Sequence, residues 1–179
     1  DKEASNMVLS IFYKHDKMPK ELYATAAGLM KDYMENVVET MINERFAEMM
    51  QKADPPFVAA QASDGDFMIA KTKGAFTVAA LVKEGEIRFD KTRIHFGHRG
   101  VYRQEHVREE IVDHSEYDRA RINVLKQYES LFNDRDKQKN RSYTNEYVRH
   151  FTDGGYIPGI ETEYQLISQI APQIPIEQV

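Results

Sequence analysis

The sequence predicts an α+β fold, a two-layer sandwich of mostly antiparallel strands with helices packed on one face. In three stretches of the chain, apolar residues alternate with a period of two, which is typical of strands. Elsewhere they recur every three or four residues, which is typical of amphipathic helices. The pattern gives about three to five strands and four or five helices. We expect residues 1–179 to form a single α+β domain.

The first strand is predicted over residues 7–13, where apolar side chains occupy both faces, as expected of an inner strand. Residues 15–20 form a turn, and one helix of about 30 residues then runs from Glu21 to the double proline at Pro55, where a helix must stop. Its apolar stripe contains Leu22, Ala26, Met30, Tyr33, Val37 and Met41. We expect the stripe from Met30 to Met41 to be buried against the sheet.

Three strand-like stretches follow the prolines, over residues 57–62, 67–70 and 76–82. Lys73-Gly74 is the predicted hairpin turn between strands. The alanines in these stretches are interpreted as packing choices that let a helix approach the sheet closely.

The second half of the chain is predicted to be helical after an irregular stretch or short hairpin over residues 86–100. Helical character resumes over residues 101–110, and a capping box over residues 113–116 opens a further helix that breaks at Asn133. A helix ending at Gly154-Gly155 and a last one after Ile157-Pro158-Gly159 complete the chain. The expected apolar positions of these three helices are Tyr117, Ala120, Val124, Tyr128 and Leu131, then Tyr143, Tyr147 and Phe151, then Ile160, Tyr164, Ile167 and Ile170.

Composition excludes several classes of function. The formal charge is −5 and the basic residues are not gathered in one place, so we expect no nucleic-acid partner. The absence of cysteine excludes disulfides and thiolate chemistry. No apolar run approaches ~18 residues, so we expect no membrane span.

Both termini suggest a fragment excised from a longer multi-domain polypeptide. The chain enters its first strand at residue 7 without an initiator methionine or a signal peptide, and residues 174–179 read as the first turn of an unfinished helix. We therefore expect apolar surface near the termini and self-association of the isolated chain.

Four histidines within twenty residues are candidates for a metal site: His95, His98, His106 and His114. The spacing of His95 and His98 suits a loop around zinc, but neighbouring arginines and the lack of cysteine ligands favour an ordinary surface. Residues 106–110, His-Val-Arg-Glu-Glu, have a glutamate where a second histidine ligand would be required.

Two further patterns have simpler interpretations. Residues 63–66, Ser-Asp-Gly-Asp, lack the remaining oxygen ligands of a calcium loop and are predicted to form a turn. The methionines of the long helix could line a soft peptide groove, but their helical spacing favours core filling. We assign no catalytic residue, no cofactor-binding residue and no metal ligand.

Several short motifs resemble the insulinase/pitrilysin-like zinc metallopeptidase family, and together they cover most of the chain. They are Asn43-Glu44-Arg45-Phe46 with Pro55-Pro56-Phe57, residues 72–85 from Thr-Lys to Lys-Glu-Gly, residues 115–120, and Ile157-Pro158-Gly159. The chain resembles the second, inactive domain of such enzymes, because the family's zinc motif His-x-x-Glu-His does not occur in it. Residues 86–100 depart from the family pattern, in which a regular helix follows directly.

The resemblance implies a non-catalytic domain that walls a peptide-degrading chamber and supports an adjacent catalytic domain of the same polypeptide. It implies zinc in that catalytic domain and none in this chain, peptide substrates in the chamber, and a periplasmic or other extracytoplasmic compartment, as in bacterial relatives. A stand-alone peptide-binding or assembly module with the same fold is the alternative. An independent histidine-dependent metalloenzyme is a third, less favoured reading.

Overall fold

A computed structural model describes residues 6–83, 88–90, 93–95, 114–155 and 157–178. The chain divides into two compact units. One comprises Asp1–Asp16 with Met41–Asp113, and the other comprises Lys17–Thr40 with His114–Val179. The first unit contains the strands and the second consists of helices. The predicted α+β class is confirmed, and the grouping of residues 1–179 into one domain stays a prediction.

The first unit is built on a three-stranded antiparallel sheet. Its strands are β1 (Asn6–Asp16), β2 (Ala59–Phe67) and β3 (Ala70–Lys83), in the spatial order β1-β3-β2. Two short strands, β4 (Arg88–Asp90) and β5 (Arg93–His95), pair as a separate antiparallel hairpin. This hairpin lies in the stretch that the sequence predicted to be irregular or a short hairpin.

The prediction that the first strand is an inner strand is wrong for the described sheet, in which β1 pairs with β3 alone. The central strand is β3, which is long enough to pair along 11 residues of β1 and also with β2. The apolar residues on both faces of β1 misled the prediction because several are solvent-exposed instead of covered. Val8 and Tyr13 are examples.

The tight turn of this sheet also differs from the prediction. The connection between β2 and β3 is Met68-Ile69, whereas Lys73 and Gly74 lie inside β3, paired with Asp16 and His15. Met68 adopts a left-handed conformation with φ of 54°, which a methionine rarely occupies. Residues 63–66, predicted to form a turn, lie within β2, because the flanking residues continue the ladder with β3.

The predicted long helix is two helices, a short α1 (Lys20–Tyr23) and α2 (Ala26–Met50). Thr25 separates them and caps α2: its hydroxyl oxygen accepts the Ala27 amide at 3.2 Å. The helix ends at Met50, before the double proline, and the intervening residues form a turn. Helix α2 contributes its first part to the second unit and its last part to the first.

The last part of α2 covers the sheet of the first unit. The rings of Phe46 and Phe57 meet edge to face at 5.7 Å between centroids, a favourable aromatic geometry. Phe57 forms a buried cluster with Ala80 and Val82 of β3, against which Phe46, Met49 and Ala60 pack. The small side chains of Ala60 and Ala80 leave room for the helix, as the alanine-rich strands predicted.

The second unit contains three further helices, α3 (His114–Asn133), α4 (Asn140–Asp153) and α5 (Ile160–Ile170). Short 3-10 helices follow at Arg135–Lys137, Ala171–Gln173 and Ile176–Gln178, the last where the sequence predicted an unfinished helix. Gly154 ends α4 in a left-handed conformation with φ of 76°, as the predicted glycine stop requires. The buried residues of α3, α5 and the following segment are Tyr117, Ala120, Val124, Ile167, Ala171 and Ile174.

The apolar stripes predicted for these helices are confirmed in part. Tyr33, Val37 and Met41 of α2 are buried and Met30 is half-buried. The ring of Tyr33 packs on Tyr128 of α3, at 6.5 Å between centroids, so this part of the stripe meets helix α3.

Other stripe predictions are wrong. Leu131 at the end of α3 is exposed, because the chain breaks two residues later and nothing in the described residues covers that turn. The predicted apolar positions of α4 are exposed too.

No helix in the described part of the chain has the length and apolar character needed to cross a membrane.

Candidate functional site

A histidine–aspartate pair crosses the central strand at one end of the sheet. His15 on β1 is paired with Gly74 on β3, which is itself paired with Asp66 on β2, two residues beyond Asp64. The Nε2 atom of His15 lies 2.8 Å from Oδ2 of Asp64. The two residues are 49 positions apart, so no local spacing in the sequence could have indicated this pair.

Gly74 makes the pair possible because the imidazole lies directly over it. A Cβ atom at position 74 would stand 2.4 Å from Cε1 and 2.8 Å from Nε2 of His15, closer than real contacts allow. A side chain there would push the ring away and lengthen the bond to Asp64. The glycine that the sequence suggested as a turn residue therefore serves a close cross-strand approach.

Both ring nitrogens of His15 face oxygen acceptors. Nδ1 lies 3.0 Å from the backbone carbonyl of Asp16, and Nε2 faces the carboxylate of Asp64. Carbonyl and carboxylate oxygens only accept, so a neutral imidazole donates to one of them and only an imidazolium donates to both. The His15 side chain is 35% exposed and that of Asp64 is 16% exposed, so the imidazole lies at the surface and the carboxylate is mostly covered.

An ion pair lies beside this bond. Asp16 and Lys73 stand directly opposite each other on β1 and β3, and their carboxylate and ammonium groups are in contact. The hydrogen bond and charge of Lys73 lower the pKa of Asp16. Both side chains are well exposed, so this contact contributes little to the free energy of unfolding.

The geometry supports a cross-strand tie that holds the register of the sheet. A His–Asp pair also occurs in acid–base catalytic sites, where the histidine exchanges a proton with a nucleophile or a substrate. Among the residues that the structure describes, no three histidine, cysteine, aspartate or glutamate side chains are grouped as metal ligands.

The candidate metal ligands of the sequence are not brought together by the described structure. His114 is the exposed first residue of α3, and only the backbone of His95, at the end of β5, is described. His98 and the whole of residues 106–110 lie outside the described residues. The carboxylate of Asp64, considered for calcium, is bonded to His15.

The motif Asn43-Glu44-Arg45-Phe46 performs packing and hydrogen bonding. Phe46 contacts Phe57, as described above, and the side-chain amide of Asn43 bonds both backbone groups of Ala62 on β2. This motif and Pro55-Pro56-Phe57 therefore attach the last part of α2 to the sheet. In both motifs, the residues that resemble the family have a structural role.

No protein-family model matches the chain. In sequence it is similar to a zinc protease PQQL-like protein of Arabidopsis thaliana, with 26% identity over 184 residues. That match covers 100% of this chain and 15% of the relative. The chain thus spans less than a sixth of the length of the curated relative that it matches.

In fold, the chain is similar to two crystal structures of the periplasmic protease PqqL from Escherichia coli. The match to one structure has a TM-score of 0.68 at 12% identity, and covers 97% of this chain and 18% of that one. The match to the first half of PqqL has a TM-score of 0.68 at 11% identity, and covers 98% of this chain and 35% of that one. At these identities the structural matches establish the fold.

The sequence match is to a zinc protease, and both fold matches are to a periplasmic protease. These similarities support the resemblance to the insulinase/pitrilysin-like family that the sequence motifs predicted.

Proposed function

We propose that this chain is a non-catalytic domain of an insulinase/pitrilysin-like zinc metalloendopeptidase. It would wall the peptide-degrading chamber and support the catalytic domain. The observation that carries the proposal is the match of the whole chain to a small part of longer zinc proteases, in sequence to 15% of one and in fold to 35% of the first half of another.

The non-catalytic role is favoured by the chemistry of the residues. A catalytic zinc site needs three protein ligands and an open position for water or substrate. The sequence contains no His-x-x-Glu-His motif, and the one histidine–aspartate pair described is bonded across the sheet. A wall domain needs no such groups, since enclosure alone excludes folded substrates and holds a peptide near the catalytic centre.

The partners follow from this role. The adjacent catalytic domain of the same polypeptide would hold the zinc, and unfolded peptides would be the substrates within the chamber. Because the similar protein from Escherichia coli is described as a periplasmic protease, we propose a periplasmic or other extracytoplasmic compartment for the parent protein. A nucleic-acid partner is not part of the proposal, given the net charge of −5.

The test compares the 179-residue chain with the longest polypeptide that its reading frame encodes. We expect the longer polypeptide to bind one zinc ion and to cleave an unstructured peptide in a chelator-sensitive way, and the chain alone to do neither. Chelator-sensitive cleavage by the chain alone would overturn the non-catalytic role. A reading frame without His-x-x-Glu-His would overturn the peptidase and favour the stand-alone module.

The stand-alone module has one observation in its favour, the aromatic side chains exposed along α4. Such a surface would suit a module that recognises peptides or assembles with other proteins. Tight binding of peptides to the chain alone, unaffected by a chelator, would support that function.

A further inference from the structure

Helix α4 exposes most of its apolar side chains to solvent. Tyr143, Tyr147, Val148 and Phe151 are 40%, 63%, 55% and 90% exposed. The three aromatic residues are spaced four apart, so they lie along one side of the helix, with Val148 beside them. We call these four residues the α4 stripe.

The contacts described for α4 lie near its two ends. The hydroxyl of Tyr143 donates to the carbonyl of Arg135 at 3.2 Å, and Nζ of Lys20 donates to the carbonyl of Thr152 at 3.4 Å. The side chain of Lys20 also runs past Gly154, which ends the helix. These contacts hold the ends of the helix and leave Tyr147 and Val148 between them open.

Such a stripe differs from ordinary scattered surface residues. Single exposed apolar side chains are normal, but a contiguous group marks an interaction surface. Tyrosine and phenylalanine are enriched at interfaces because they bury a large area at a low cost in conformational entropy. A helix of 14 residues also derives most of its stability from packing an amphipathic face, and here that face has no described partner.

The comparisons indicate where the covering surface would lie. The fold of this chain accounts for 35% of the solved first half of PqqL and 18% of the longer PqqL chain. In proteins of that length, most of the polypeptide lies outside the matched part and is tethered to it. Tethering raises the effective concentration of a covering surface far above that of a free partner.

We propose that the α4 stripe docks on an apolar patch of an adjoining domain of the same polypeptide. This inference rests on the proposed function, because it requires the longer polypeptide. It names the surface by which the domain attaches to its neighbours.

Amide hydrogen exchange of residues 143–151 tests the proposal in the longest polypeptide of the reading frame and in the 179-residue chain. We expect exchange about tenfold slower in the longer polypeptide, because docking suppresses local opening of the helix. The double variant Tyr147→Ser, Phe151→Ser should remove this slowing. The control Ile122→Ser, at an exposed apolar position of α3, should leave it unchanged.

Equal exchange rates in the two polypeptides would overturn the proposal, as would a double variant that exchanges as slowly as the wild type. Slowing that appears in the chain alone and grows with its concentration would also overturn it, in favour of a second copy as the occupant. Circular dichroism confirms that each variant is folded, and the single variant Tyr147→Ser serves if the double one is not.

The zinc content of the same longer polypeptide separates this proposal from the proposed function. Bound zinc with an unprotected α4 stripe would overturn the docking surface alone. A protected stripe in a polypeptide that binds no zinc would overturn the peptidase and leave the docking surface standing.

Discussion

Asn43 bonds both backbone groups of a single residue, Ala62. Its Oδ1 accepts the Ala62 amide at 2.7 Å, and its Nδ2 donates to the Ala62 carbonyl at 2.9 Å. An extended strand would use the same two groups of Ala62 for pairing, so the asparagine side chain takes the place of a neighbouring strand at this point of β2. The helix thus satisfies the sheet edge that it covers.

Replacing Asn43 tests this arrangement. Asn43→Ala would leave both backbone groups of the fully buried Ala62 without these bonds, which should lower the free energy of unfolding by about 1–3 kcal/mol. Urea denaturation monitored by circular dichroism measures the change. The control is Asn36→Ala on the same helix, whose exposed side chain donates to the Asp32 carbonyl one turn earlier.

The control variant should change the free energy of unfolding by less than about 0.5 kcal/mol. Equal effects of the two substitutions would mean that the bonds to Ala62 contribute nothing specific. Asn43→Asp keeps the acceptor for the Ala62 amide but faces its carbonyl with a second acceptor, so it should also destabilise the fold.

The same substitution should have opposite effects at two buried tyrosines. Tyr33 is 1% exposed and its hydroxyl has no described hydrogen-bond partner. Tyr117 donates its hydroxyl to the Ile174 carbonyl at 2.7 Å. Tyr33→Phe should therefore raise the free energy of unfolding by about 1 kcal/mol, and Tyr117→Phe should lower it by about 1–3 kcal/mol.

Thermal and urea denaturation of both variants measure these changes. A loss of stability in Tyr33→Phe comparable to that in Tyr117→Phe would show that the Tyr33 hydroxyl is bonded in solution, for example to a buried water.

Alkaline pH should weaken the fold through Tyr33. Burial raises the pKa of Tyr33 to about 12, from about 10 in an unfolded chain. A pKa raised by folding means that the folded state holds its proton more tightly. This contribution is complete below pH of about 10 and is lost as the pH rises through about 12. Two pKa units correspond to about 2–3 kcal/mol.

Burial also raises the pKa of Tyr117, so its effect has the same sign. The measurement is the free energy of unfolding from about pH 9 to pH 12, in the wild type and in Tyr33→Phe. The curve of the variant should fall less steeply above about pH 10. The exposed Tyr147→Phe serves as the control, and a variant curve parallel to the wild type would contradict the assignment.

Gly74 should be intolerant of a side chain only while His15 is present. Gly74→Ala would displace the imidazole and break the bond to Asp64, costing about 0.5–1.5 kcal/mol. In a His15→Ala background, Gly74→Ala should be neutral or stabilising, because glycine inside a strand is less favourable than alanine. A double-mutant cycle measures this coupling. Additive effects of the two substitutions would refute the dependence of position 74 on His15.

The local signals in the sequence predicted the helices of the second half well. Gly154 ends α4 as predicted, and α3 begins at His114, within the predicted capping box, because the signals that end or begin a helix act within one turn of the chain. Local signals of this kind could not predict the order of the strands in the sheet. The apolar pattern of β1 predicted an inner strand. Which strand is central depends instead on pairing between β1 and β3, whose paired residues lie more than 50 positions apart in the chain.

The candidate site was missed for the same reason. The bond between His15 and Asp64 depends on the register of three strands, which no spacing along the chain specifies. The exposure of the α4 stripe was also unpredicted, since periodicity identifies an apolar face but not whether anything in the chain covers it. The motifs that contain Asn43 and Phe57 lie close together in the chain, and their residues form the contact between one helix and one sheet.

The imidazole lying over Gly74 has a consequence for the evolution of this protein. Positions 15, 64 and 74 depend on one another, because glycine is required at position 74 only while the histidine lies over it to reach the aspartate. A lineage that loses the histidine is free to fill position 74, and once it is filled, the histidine cannot return without a second change. Among descendants of a common ancestor, the three residues should therefore be kept or lost together, and their joint loss should be hard to reverse.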